Sequence, residues 1–125
     1  MATPDAHLPL QVPIDGYGRF AFHFSGMASE GSLLALPSGM HAWAPRVPAD
    51  IDAGALARVF EQAAEIELLL IGTGVDPWAI PDALRWRLRD AGISVDAMPT
   101  RAAASTYNVL LAEDRAVAAA LLALP

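Results

Sequence analysis

Aromatic residues recur at every second position from Phe20 to Phe24, where Phe20, Phe22 and Phe24 alternate with Arg19, Ala21 and His23. A period of two predicts a half-buried strand. The runs GSLLALP and GMHAWAP follow, joined by Pro37-Ser38-Gly39, which has hairpin-turn chemistry, so residues 19 to 45 read as a three-stranded antiparallel meander. The period then becomes helical. Leu56, Val59, Phe60 and Ala63 form one stripe, with Asp52 as N-cap and Ile51 placed to staple onto Leu56. The nearly unbroken apolar run IELLLIG fits a strand covered on both faces. Pro81 at a first helical position opens a second helix with Leu84, Leu88 and Ala91 on its buried stripe and Gly92 as its stop. ISVDAM reads as a strand. Thr100 is placed to cap a third helix running to about Glu113, with Ala103, Tyr107, Leu110 and Leu111 on its inner face. RAVAAALLAL reads as a final strand, although its alanines also allow a helix. The second half is therefore β-α-β-α-β, whose right-handed crossovers build parallel sheet. The fold class is α/β, a mixed β-sheet with an antiparallel N-terminal meander.

The first residues change this picture little. Residues 1–16 read as an irregular lead-in, with at most an edge strand near Val12 and Ile14, and residues 17–125 as the domain. A chain of 125 residues makes one domain that buries roughly 65% of its unfolded surface. The start lacks a basic n-region and an apolar h-region, and no apolar run reaches the roughly 20 residues of a membrane span. The expectation is a cytoplasmic protein with no membrane insertion.

Charge and residue types narrow the chemistry. The net charge is −6 and all eight basic residues are arginine, with only Arg85, Arg87 and Arg89 clustered, which argues against nucleic acid as a partner. The absence of cysteine removes disulfides, thiolate metal sites and cysteine nucleophiles. His7, His23 and His41 lack the spacing of helical metal ligands, so no metal is expected. No G-x-S-x-G elbow occurs, and no serine is paired to a histidine by local pattern, so no catalytic residue is assigned.

Gly72-Thr73-Gly74, between an apolar strand and a helix, resembles the start of a dinucleotide fingerprint. Pro77 stands at the third glycine position, and Trp78 and Pro81 stretch the turn into a loop, so no cofactor is expected there. The loops after the parallel strands should still meet. Gly72, Thr73, Gly74, Thr100, Tyr107 and Asn108 are the candidate crevice residues, set where open α/β sheets bind ligands. Within it, tying loops together competes with binding a ligand. Trp86 lies off the Leu84–Leu88 stripe, and with Arg85 and Arg89 it makes a candidate surface for a partner or a homodimer.

The motifs IDGYG (14–18), GSLLALP (31–37), LLLIGTG (68–74) and TYNVLLAEDRAVAAALL (106–122) together resemble the Mth-type domain family of unknown function. Its members include a mitochondrial complex I assembly factor. The resemblance implies a single three-layer α/β domain. It also implies a non-enzymatic role in protein interaction or complex assembly, with a membrane or respiratory complex subunit as partner. The alternative is a small-molecule-binding protein or enzyme using the crevice at the C-terminal ends of the parallel strands.

Overall fold

The computed structural model describes residues 6–125. In chain order its strands are β1 (Ala6–Leu8), β2 (Gly16–Gly18), β3 (Ala21–Phe24), β4 (Met27–Glu30), β5 (Ser32–Leu36), β6 (Gly39–Trp43), β7 (Leu68–Gly72), β8 (Ser94–Met98) and β9 (Val117–Leu121). The helices are α1 (Ala57–Glu61), α2 (Asp82–Asp90) and α3 (Thr100–Ala112). A six-stranded mixed sheet has the order β1-β6-β5-β9-β7-β8, and β2-β3-β4 form a second, antiparallel sheet. Strands β7, β8 and β9 are parallel, and β5 joins them by running antiparallel to β9.

Alternation along the central strands sorts two cores onto two faces. Leu34, Leu36, Leu69, Ile71, Ala118 and Ala120 face the core built with Leu56, Val59, Leu84 and Leu88 of the first two helical segments. Their neighbours Leu33, Ala35, Leu70, Val117, Ala119 and Leu121 face Ala103, Ala104 and Tyr107 of α3 together with Phe22 and Phe24 of the small sheet. The result is three layers around one mixed sheet. Full burial of each large side chain contributes about 1.5–3 kcal/mol, which is why apolar runs without polar interruption mark the central strands. The alanines of β9 form a strand because both of their faces are covered, and their small size suits close packing of α3.

Four local expectations are corrected. The meander splits: β3 pairs with β2 and β4, while β5 and β6 belong to the large sheet. Ser25 (φ 49°) and Gly26 (φ 76°) turn the chain back at once into β4, whose sequence MASE carries no apolar alternation to announce it. The lead-in contributes its edge strand at Ala6–Leu8, not near Val12 and Ile14, where Pro13 has no N–H to give a ladder; its first five residues lie outside the described ones. Asp52 does accept the Ala55 N–H at 2.8 Å, but the helix it opens is only five residues long and gives way to a 3-10 turn at Ala63–Glu65. Pro81 and Pro99, both with extended ψ, are the residues before α2 and α3, so Thr100 is the first residue of α3 and not its cap.

Candidate functional site

Strand β7 ends in Gly72, and the loop beyond it is knotted to the start of α3. The Gly74 N–H donates to Thr100 Oγ1 at 2.9 Å, and the Thr100 N–H returns a bond to the Gly74 carbonyl at 2.9 Å. Thr100 is fully buried, and its hydroxyl donates to the Leu122 carbonyl at 2.8 Å. Thr73 donates its hydroxyl to the Asp76 carbonyl at 2.6 Å and its N–H to Met98 at 2.9 Å. Gly72 is glycine for packing: an added Cβ would stand 2.8 Å from Leu121 Cδ2 and 2.9 Å from Thr100 Oγ1. The structure thus brings Gly72, Thr73, Gly74 and Thr100 together at the C-terminal edge of the parallel strands. The Gly74 N–H, which a phosphate would need, is already bonded to Thr100.

Tyr107 and Asn108 lie two turns farther along α3 and address a different segment. The buried Tyr107 phenol donates to the Val12 carbonyl at 2.8 Å. Asn108 grips both backbone groups of Ile14, accepting its N–H at 2.8 Å and donating to its carbonyl at 2.7 Å. Gln11 adds a bond from its side-chain amide to the Val117 carbonyl at 2.7 Å. Residues 11–15 therefore form a strap over α3 and β9, held by these side chains and, at Asp15, by a backbone bond from its N–H to the His23 carbonyl at 2.7 Å. Burial pushes the Tyr107 phenol well above its ordinary range, with the Gln11 side chain opposing.

On α2, Trp86 is 58% exposed, and the Arg89 guanidinium stands over its ring at 5.3 Å from the centroid. Arg85 is exposed beside it, whereas Arg87 lies over Phe60, 5.5 Å from the ring centre. Trp86, Arg85 and Arg89 thus share one outward face, with the aromatic partly shielded by a cation.

Two features were not legible beforehand. Ser38 Oγ lies 2.8 Å from Nε2 of the buried His41, a spacing that serine nucleophiles use. Here Gln62 occupies the serine from both sides, donating to its hydroxyl at 2.7 Å and accepting its N–H at 3.1 Å. That uses the backbone donor a reaction would turn on an oxyanion, so the trio fastens the β5–β6 turn to the end of α1. Its signal was the i, i+3 spacing across a two-residue turn. The second feature is a cleft of about 810 Å³ bordered by Arg19, Phe20, Glu30, Trp43, Pro45 and Arg46. It opens beside Ala123, just past the C-terminal end of β9. Its residues come from four separate segments, so no local motif could announce it. Among the described residues no three His, Asp or Glu side chains gather to hold a metal, and no helix is long and apolar enough to cross a membrane.

Comparison with known proteins extends the geometry. A family model described as "Protein of unknown function (DUF498/DUF598)" matches residues 14–122. An uncharacterized protein of Rhodobacter capsulatus is 40% identical, over 91% of this chain and 86% of its own. The zebrafish (Danio rerio) NADH dehydrogenase [ubiquinone] 1 alpha subcomplex assembly factor 3 is 30% identical over 90% of this chain, which spans 64% of that factor's length. Among solved structures, one described as an outer membrane protein from Bartonella henselae superposes with a TM-score of 0.92 at 45% identity, covering 95% of this chain and 100% of that one. A Bordetella pertussis protein described as an Mth938-like domain gives 0.79 at 28% identity, covering 98% and 90%. The Mth-type family that the motifs resemble is the family that matches.

Proposed function

We propose that this chain, which belongs to the DUF498/DUF598 family, is a non-enzymatic domain that binds protein partners in assembling a respiratory or membrane complex. One observation carries the reading. At the edge where an α/β enzyme holds its substrate, Thr73, Gly74 and Thr100 spend their polar groups on one another and on Leu122, Met98 and Asp76. The rim acts as a rigid brace, and the outward surfaces are left for recognition. The assembly factor among the relatives supports the same direction. The exposed Trp86, with Arg85 and Arg89, offers the residue types that dominate binding energy at interfaces. The partner is a protein subunit met in the cytoplasm.

Recovery of the tagged protein from its native host tests this. A polypeptide should copurify in fixed ratio, and Trp86→Ala should lower its recovery or change the oligomeric state. A small molecule copurifying without any polypeptide would reverse the ranking. The second reading, a small-molecule binder or enzyme at the C-terminal edge of the parallel strands, is favoured by the cleft beside Ala123, whose volume of about 810 Å³ falls within the range of ligand sites.

A further inference from the structure

The β2–β3 connection is conformationally unusual in a way that bears on the cleft. Gly18 pairs with Ala21, so Arg19 and Phe20 are a two-residue loop, and both have positive φ, 54° and 57°. Such a loop favours Asn-Gly, because a Cβ is disfavoured in the left-handed region. The conformation is held from both sides: the Phe20 N–H donates to the Leu124 carbonyl, and the Phe20 carbonyl accepts the Gly31 N–H. What it achieves is display. Phe20 is 60% exposed at the cleft's edge, and Arg19 stands beside it. Strained residues held by their surroundings concentrate at functional sites.

Charge gives the second observation. The molecule carries 14 acidic residues against 8 arginines, yet the cleft brings two arginines, Arg19 and Arg46, against the single acid Glu30. Among the described residues neither guanidinium enters an ion pair. The apolar lining is Phe20, which is exposed, with Trp43 and Pro45, which are buried and show little of their surface. Trp43 is anchored by its indole N–H to the Ala55 carbonyl at 2.7 Å, so this side of the cleft is fixed.

Resting on the protein-binding reading above, we infer that this cleft is the docking site for an acidic segment of the partner, one carrying a carboxylate next to an aromatic or aliphatic side chain. The carboxylate meets Arg19 and Arg46, and the apolar side chain packs on the exposed Phe20 ring. Phe20 borders the cavity with 60% of its surface exposed, so a peptide crossing the cleft covers more of the ring than a small carboxylate does. Gly31, Ala44 and Ala123 line the same cleft with little or no side chain, which lets a peptide backbone approach.

Selection from a displayed library of random heptapeptides tests this on the full chain. Enriched peptides should carry Asp or Glu beside an apolar residue. The best of them, synthesised, should bind the native protein at least about 10-fold more tightly than the Arg19→Glu/Arg46→Glu variant, with affinity falling as salt rises. Phe20→Gly keeps the turn and relieves its backbone, so it should fold at least as well and still bind several-fold more weakly. Enrichment without acids, equal binding by the charge-reversed variant, or full displacement of the peptide by 3-phenylpropionate at equal affinity would each overturn the inference. Partner recovery separates the two levels. If the native and charge-reversed proteins recover the same polypeptide equally, the cleft falls and the protein-binding reading stands. If the native protein recovers none while acid-selective peptides bind, the assembly role falls and the cleft stands.

Discussion

Asn108 takes the place of a missing strand. Ile14 follows a proline and lies outside any strand, yet its side chain is buried, so its N–H and carbonyl need partners. A single carboxamide supplies one acceptor and one donor. At roughly 1 kcal/mol for each bond, plus the cost of stranding partly buried groups, Asn108→Ala should lower stability by about 2–3 kcal/mol in urea unfolding. Asn108→Asp should do no better, because its second oxygen would face the Ile14 carbonyl. Tyr107 makes a different prediction. The folded chain keeps a phenolic proton that the unfolded chain releases near its ordinary value of 10.0. The stability linked to it is therefore fully present below that pH and is lost as pH rises above it. Tyr107→Phe should cost about 1 kcal/mol at neutral pH through the lost bond to Val12. It should also flatten the alkaline fall, as unfolding measured between about pH 8 and about pH 11 would report.

At the scale of elements, the two hairpins of the small sheet form a matched pair. One turns through Ser25-Gly26, the other through Arg19-Phe20, and all four residues have positive φ. The first has residues suited to the geometry and the second does not. Arg19→Asn/Phe20→Gly should therefore stabilise the chain by about 1 kcal/mol, read as a rise in the urea midpoint without a change in slope. The contrast explains what could be read beforehand. Strands β5, β7 and β9 are legible because burial on both faces demands an apolar run, and α2 because Leu84 and Leu88 repeat at helical spacing between a proline and a glycine. Strand β4 is not, since its ladder partner β3 supplies the apolar surface and only Ser29 of its own residues is buried. The rim was legible as the meeting of Gly74 with Thr100. Their mutual bonding was not, because it depends on the depth at which α3 packs. The cleft was invisible for the same reason, being a product of where four segments end.

At the scale of the whole molecule, the three layers are joined by groups distant in sequence. Ser32 accepts the Ala123 N–H, Thr100 reaches Leu122, and Gly72 accepts the Leu122 N–H, so the chain's last strand and its continuation are tied to each half of the sheet. The lead-in closes the remaining side. Strand β1 extends the sheet beyond β6, and the strap at 11–15 lies over the core that contains Tyr107. A chain shortened to residues 17–125 would lose β1 with its pairing to β6 and Gly16 with its pairing to His23, the buried Ile14 side chain, about 1.5–3 kcal/mol, and the bonds to Asn108, Tyr107 and Val117, roughly 1 kcal/mol each. Its stability should fall by several kcal/mol, a large share of the 5–15 kcal/mol that holds an ordinary domain. A second readout separates loss of the strap from general loosening. With Val12, Ile14 and Gln11 gone, the Tyr107 phenol meets water. Its absorbance titration should move down toward the ordinary tyrosine value, while the buried Trp43, which packs in the other core and is anchored to Ala55, keeps its native fluorescence. A shortened chain that unfolds at the same urea concentration as the full one, with its phenol titration unmoved, would show that the strap is an ornament on a domain complete without it.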